Sequence, residues 1–198
     1  MTRLTVSRLV AVTAVGHHGS TEEIADRVAD RLRAWLPGHW NVIRCSPVDP
    51  LLDDADAVVL GSAIYLGRWM PAARACLERL QQVGPEHVWL FSSGPVADEQ
   101  RGQRERVLSP AVVPWRTHGH QVFGGRLDIA RLSNIERFLT RMVGALQGDR
   151  RDWSDIDSWA ATIAEHLVRA YAEHDPGTAH PVVPGGRRSR LDLGRWSP

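Results

Sequence analysis

The chain has 198 residues, with 24 basic against 23 acidic side chains and a formal net charge of +1. That leaves no basic excess from which a nucleic-acid interface could be built. Every basic residue is Arg and none is Lys, so a lysine Schiff base, a Walker-A nucleotide site and a protein-kinase core cannot be built in their usual forms.

Two cysteines, Cys45 and Cys76, are too few for a disulfide framework or a cysteine-rich zinc site, and read as reduced, partly buried thiols of a cytoplasmic protein. No apolar run reaches the roughly 18 residues of a membrane span. The stretch from Leu9 to Val15 stops after seven residues at Gly16 without a small-residue cleavage pattern, so it reads as a strand rather than a signal peptide.

In chain order, Leu9–Val15 is a first strand, apolar nearly throughout, as expected where helices cover both faces. Ile24, Val28, Leu32 and Leu36 recur every four residues and predict a helix over Ser20–Leu36, stopped by Pro37-Gly38. Ser20-Thr21-Glu22-Glu23 predicts a capping box at its start. Trp40–Cys45 is a second strand, and Ala57–Leu60 a third that runs into Gly61. Pro71 opens a helix carrying Ala73, Cys76, Leu77 and Leu80, with proline at the turn where its missing donor costs nothing.

His87–Phe91 is a fourth strand, ending in Ser92-Ser93-Gly94-Pro95. The segment Asp98–Thr117, broken by Gly102, Pro110 and Pro114, is partly helical at best; His120–Phe123 is a short fifth strand. Asn134–Gln147 is amphipathic, and a last helix runs from Ser154 to about Tyr171. Strands alternating with helices predict an α/β, doubly wound, five-stranded parallel sheet. Residues 1–171 form the domain, and residues 172–198, rich in Pro, Gly and Arg, read as a disordered tail.

Ligands of such a sheet sit at the carboxyl ends of the strands, and three loops meet that description. Gly16-His17-His18-Gly19-Ser20-Thr21 enters the first helix. Its successive amides, two hydroxyls and the helix dipole make an anion cradle that needs no Lys. It does not match G-x-G-x-x-G, which disfavours a dinucleotide. Gly61-Ser62-Ala63-Ile64-Tyr65-Leu66-Gly67-Arg68-Trp69 and Ser92-Ser93-Gly94-Pro95-Val96 are suited to a flat ring. His118 and His120 flank Gly119 with no third ligand nearby, so no metal site is expected. No G-x-S-x-G elbow surrounds Ser62.

The stretches His18–Ala25, Asp56–Trp69 and Val88–Pro95, continued by Phe123-Gly124-Gly125-Arg126-Leu127 and Arg151-Asp152-Trp153, resemble the flavodoxin-domain proteins of actinobacteria. These are similar to menaquinone-dependent protoporphyrinogen dehydrogenases. The resemblance covers roughly residues 8–170 and is most specific in its middle motif.

It implies a flavodoxin-like fold, strand order 2-1-3-4-5, with one FMN. Its phosphate would lie on Gly16, His17, His18, Gly19, Ser20 and Thr21. Its ring would lie between Ser62, Ala63, Ile64, Tyr65 and Gly67 on one side and Ser93, Gly94 and Pro95 on the other. Relatives usually carry Ser or Thr where Gly16 stands, so Gly16→Ser is expected to add a bond to the phosphate, and His17 and His18 offer ring donors in its place. Trp69 either faces the ring or packs under the Pro71 helix. Trp35, Trp40, Trp89, Trp153 and Trp159 read as packing residues.

The resemblance points to an FMN-dependent oxidoreductase that oxidises a reduced porphyrin precursor with a quinone acceptor. Two rivals stand beside it. One is a flavodoxin-type electron carrier, for which a net charge of +1 supplies no electrostatic steering. The other is a cofactor-free flavodoxin-like interaction module. Asn134–Gln147 either faces the core or lies at the surface, where it shields a hydrophobic substrate or rests as a peripheral element on the inner face of the membrane.

Overall fold

The computed structural model describes residues 7–65, 68–94, 117–127 and 148–172. The elements are β1 (Arg8–Val15), α1 (Ser20–Trp35), β2 (Trp40–Arg44), a 3-10 turn (Pro50–Leu52), β3 (Ala57–Tyr65), β4 (Arg68–Trp69), α2 (Pro71–Val83), β5 (His87–Gly94), β6 (Thr117–Gly124), β7 (Arg126–Leu127), β8 (Gly148–Asp149) and α3 (Trp153–Tyr171). Strands β2-β1-β3-β5-β6 form a parallel sheet in that order. With the two-residue β4 set aside as an antiparallel partner of β3, this is the expected order 2-1-3-4-5.

Two apolar layers hold the helices on. On one face Val10, Val12, Val59, Trp89, Phe91 and Phe123 meet the inward stripe of α1 (Ile24, Val28, Leu32) and that of α3 (Ile156, Ile163, Leu167). Arg27 ties these two helices by donating through Nε and Nη2 to the Asp157 carboxylate, both at 2.7 Å. On the other face Ala11, Val58, Leu60, Val88 and Leu90 pack against Ala73, Cys76, Leu77 and Leu80 of α2. All eight residues of β5 are buried, as a strand covered on both sides requires.

Most predicted elements stand. The third strand departs from expectation: β3 runs to Tyr65, so Ser62, Ala63, Ile64 and Tyr65 are strand residues rather than loop. The reason is lateral pairing, with β1 reaching Ser62 and β5 reaching Ala63. Gly61, which reads as a terminator in sequence, is a packing residue: a Cβ there would lie 2.1 Å from the Phe91 ring. Trp153 also departs; it is 36% exposed at the head of α3 and lies under the Arg151 guanidinium at 4.5 Å.

β6 begins three residues earlier than predicted and carries an irregularity. Val88 pairs with Thr117 but Leu90 with His120, so β6 holds one residue more than β5 across this step. The bulge includes Gly119 at φ 137° and changes which face the side chains take. His118 stacks on Trp89 of the α1/α3 face, whereas His120 meets Trp69 of the opposite face. His118 and His120 therefore do not act as a pair, and His118 instead lies beside His87 and His166. The segments Asp98–Arg116 and Asn134–Gln147, together with the tail after Ala172, lie outside the described residues.

Candidate functional site

β1 ends at Val15 and α1 starts at Ser20, so residues 16–19 form the turn between them. Gly19 is the N-cap, left-handed at φ 83°, and no side chain caps the helix. The predicted capping box therefore does not form, because Ser20 is already helical rather than the cap. Its acidic half is used elsewhere: Glu23 pairs with Arg151. Glu22 reaches back across the turn instead, and its Oε1 accepts a hydrogen bond from the Gly16 amide at 2.8 Å. Among the described residues its other oxygen, Oε2, is buried without a hydrogen-bond partner.

Two contacts bring the predicted loops together. The hydroxyls of Thr21, in the first turn of α1, and Ser93, near the end of β5, lie 2.7 Å apart and are buried. The rings of His17 and Tyr65 meet edge-on with centroids 5.5 Å apart. Thus the start of α1, the end of β3 and the end of β5 share one corner at the carboxyl edge. They flank the place where the strand order reverses between β1 and β3, which is where open α/β sheets take ligands. Of the other predicted site residues, Ser20 is buried, His18, Ala63 and Ile64 are half-buried and His17 is exposed. Gly94 ends β5 and its carbonyl accepts from Gly125 N–H at 2.8 Å. Gly67 and Pro95 lie outside the described residues.

Two predicted roles are corrected, those of Ser62 and Gly16, and for Trp69 the second of its two readings holds. Ser62 is fully buried, donates to the Ala63 carbonyl at 2.9 Å and accepts from the Met70 amide at 3.0 Å. Its hydroxyl ties β3 to the Met70 amide that follows β4 and is not presented to a ligand. Trp69 is buried, and its Nε1–H donates to Ser92 Oγ at 2.7 Å, so its indole packs under α2 and does not face a ring. Gly16 cannot simply gain a hydroxyl, because a Cβ there would lie 2.6 Å from Thr21 Oγ1 and 3.0 Å from Glu22 Oε2. The bare backbone is what lets the first turn of α1 fold over the end of β1.

Sequence reasoning missed Glu22 and Arg151. The Arg151 side chain is 4% exposed and pairs with both Asp149 and Glu23. The Asp149 hydrogen bond first, and then the one to Glu23, raise its pKa, so it is a permanent cation beside the first turn of α1. The RDW triplet before the last helix was the only signal for it. Arg151 thus ties the first turn of α1 to Asp149 from a distant stretch of chain.

Behind the corner, Ser92 Oγ lies 2.8 Å from His120 Nε2 while taking the Trp69 proton. Burial pushes the His120 pKa down to about 4. The imidazole is neutral and completes a chain of Trp69, Ser92 and His120 in which its donor or acceptor role follows its tautomer. Neither cysteine is poised as a nucleophile: burial pushes the Cys76 thiol up to about 11 and raises Cys45 as well.

The donors at this corner suit an anion. The amides of the turn and first helical residues, the Ser20 and Thr21 hydroxyls and the dipole of α1 all present partial positive charge. Glu22 already occupies the Gly16 amide as an internal anion, so a phosphate would compete with it.

Residues 12–154 match the family model described as a flavodoxin domain. By structure, the chain is similar to rubredoxin oxygen:oxidoreductase from Desulfovibrio gigas (TM-score 0.52, 15% identity, 83% of this chain and 37% of that one). It is also similar to the Flv1 flavodiiron core from Synechocystis (TM-score 0.54, 11% identity, again 83% and 37%). Flavodoxin 2 from Bacillus cereus superposes at TM-score 0.52 with 16% identity, over 79% of this chain and 98% of that one. The chain thus spans little more than a third of the first two and nearly the whole of the third. No curated protein matches it by sequence. Among the described residues no helix is long and apolar enough to cross a membrane. With the matched segment covering most of its length and the sheet wound in the expected order, the chain belongs to the flavodoxin-domain family.

Proposed function

We propose that this chain binds FMN at the carboxyl edge of its sheet and transfers electrons through it. The observation that carries the reading is the shared corner of three elements, with Thr21 against Ser93 and His17 against Tyr65. The phosphate would be held by the amides of residues 16–21 and the Ser20 hydroxyl. The ring would lie over the strand ends, against Ala63, Ile64, Tyr65 and Gly67 of one segment and Ser93, Gly94 and Pro95 of the other, because Ala63 pairs directly with Ser93 in the sheet. Bound FMN supplies redox chemistry, and the protein contributes binding, orientation and electrostatic tuning. Tyr65 would offer an aromatic face, and the buried Ser93 and Gly94 would keep water from the edge beneath the ring.

The finer form of the proposal is an oxidoreductase that takes a reduced porphyrin precursor, a porphyrinogen, and delivers its electrons to a quinone. Residues 134–147 would then rest against the membrane from the cytoplasmic side. Its rival is a flavodoxin-type carrier that moves electrons between proteins. A third reading, a cofactor-free interaction module, is favoured by one observation: the Glu22 carboxylate on the Gly16 amide.

Titrating full-length protein with FMN separates the third reading from the first two. Quenching of flavin fluorescence with one FMN bound per chain is expected, and unaltered flavin spectra would overturn the proposal. Turnover of protoporphyrinogen with a menaquinone analogue then distinguishes an oxidoreductase from a carrier, which would show flavin reduction by a partner without porphyrin product.

A further inference from the structure

At the opposite pole of the sheet from this corner, three histidines meet. His87 opens β5, His118 lies in the bulge of β6, and His166 comes from α3. Their ring centroids are 4.8 Å apart for His87 and His118, 5.4 Å for His87 and His166, and 4.2 Å for His118 and His166. His87 Nδ1 and His118 Nε2 share a 2.8 Å hydrogen bond. One nitrogen from each ring lies within 4.8 Å of the other two.

From this geometry we propose that His87, His118 and His166 bind one divalent transition-metal ion of the zinc, copper and nickel class. The site lies at the amino-terminal edge of the sheet and is independent of the flavin proposal.

The spacing is close to what an ion needs. Nitrogens bound at about 2.0–2.1 Å around a tetrahedral centre lie roughly 3.3 Å from one another. The His87–His118 pair must therefore open by about half an ångström, and the widest pair must close by roughly 1.5 Å at most. His118 is exposed and His166 half-buried, so both rings have room for that rotation. His87, buried at the strand start and stacked on Trp89, is the fixed point on which the others close.

The direction of the His118 side chain is the strongest observation. In an unbroken strand His118 and His120 would share a face, and His118 would point away from α3. The bulge at Gly119 turns it back to His87 and His166. Bulges recur where a strand must re-aim a side chain, and here the re-aimed group is a nitrogen ligand.

Chemistry selects the ion. Three imidazoles without a hard oxygen ligand favour copper, nickel and zinc over magnesium or calcium. The exposed edge at His118 leaves a fourth position for water, as in sites that keep an exchangeable ligand. Because the ligands come from β5, β6 and α3, the ion would clamp the last helix to the outer strands of the sheet.

The test uses tag-free full-length protein stripped with a chelator, since a polyhistidine tag would compete. Thermal unfolding and calorimetric titration are run with zinc chloride, nickel chloride and magnesium chloride. One zinc or nickel ion per chain, a melting temperature raised by several degrees and no response to magnesium are expected. His118→Ala, an exposed position, and His166→Ala should each weaken zinc binding at least about 100-fold, the upper part of the range for losing a group a metal site depends on. His39→Ala, outside the three-histidine cluster, should not. Absence of stoichiometric binding, or equal binding by wild type and both variants, overturns the proposal.

Discussion

The Glu22 carboxylate accepts a hydrogen bond from the Gly16 amide at 2.8 Å and so occupies the first donor of the turn that would hold a phosphate. An anion-binding corner that carries its own anion binds an external one less tightly, because the two must exchange or repel. Glu22→Gln keeps an oxygen for the Gly16 amide while removing the charge. Repulsion between unit charges about 5 Å apart is worth roughly 1–3 kcal/mol between bulk-like and surface dielectrics. FMN should therefore bind roughly tenfold tighter to the variant, a change of about 1.4 kcal/mol. Fluorescence titration at fixed ionic strength measures it, and equal or weaker affinity would remove Glu22 from the site.

Gly16→Ser should do the opposite of what the sequence predicts. The new Cβ would lie 2.6 Å from Thr21 Oγ1, whose partner is Ser93 at 2.7 Å. Overpacking of this kind costs about 1–3 kcal/mol, and the displaced Thr21 loosens the tie between α1 and β5. A lower urea midpoint and weaker FMN binding are expected. A variant as stable as wild type that binds FMN more tightly would show that the turn relaxes freely.

The contrast between those two residues marks what the sequence could and could not show. The β1–turn–α1 unit was legible because apolar runs and four-residue spacing report burial directly, and Thr21 and Ser93 lie where strand ends of an open sheet must converge. Glu22 was hidden because its first-turn position reads as half of a capping box, whereas its side chain reaches six residues back to Gly16. Arg151 was hidden because its partner Glu23 is distant in sequence. Ser62 to Tyr65 read as loop because a Gly-Ser pair punctuates most chains, yet pairing with β1 and β5 overrides that local signal. The histidine cluster was invisible for a geometric reason, since the face of His118 depends on a bulge that no alternation pattern encodes.

Ser92→Ala tests the buried chain behind the corner. Ser92 Oγ accepts from Trp69 Nε1 at 2.7 Å and lies 2.8 Å from His120 Nε2. Removing it leaves a buried indole N–H without its acceptor, which costs about 1–3 kcal/mol. A lowered denaturant midpoint with an unchanged slope is expected, because the fold and the area exposed on unfolding stay the same. A midpoint within error of wild type would mean that water replaces the hydroxyl.

Asp157 gives the fold a defined acid sensitivity. The hydrogen bond from Arg27 first, and then that from Arg31, hold its carboxyl below the usual carboxylate value, against burial acting the other way. A carboxylate whose folded pKa is depressed stabilises the protein above its unfolded pKa of about 3.9. That contribution fades as pH falls through the folded value, which lies lower still. Asp157→Asn removes the charge at every pH and breaks the link between α1 and α3. Because Arg27 and Arg31 are both about a third exposed, the loss at pH 7 should be of order 1 kcal/mol. The gap between wild type and variant should narrow steadily below pH 4. Urea midpoints at pH 7, 5, 4 and 3 measure the gap, and one that stays constant down to pH 3 would show that the pair carries no charge-dependent stability.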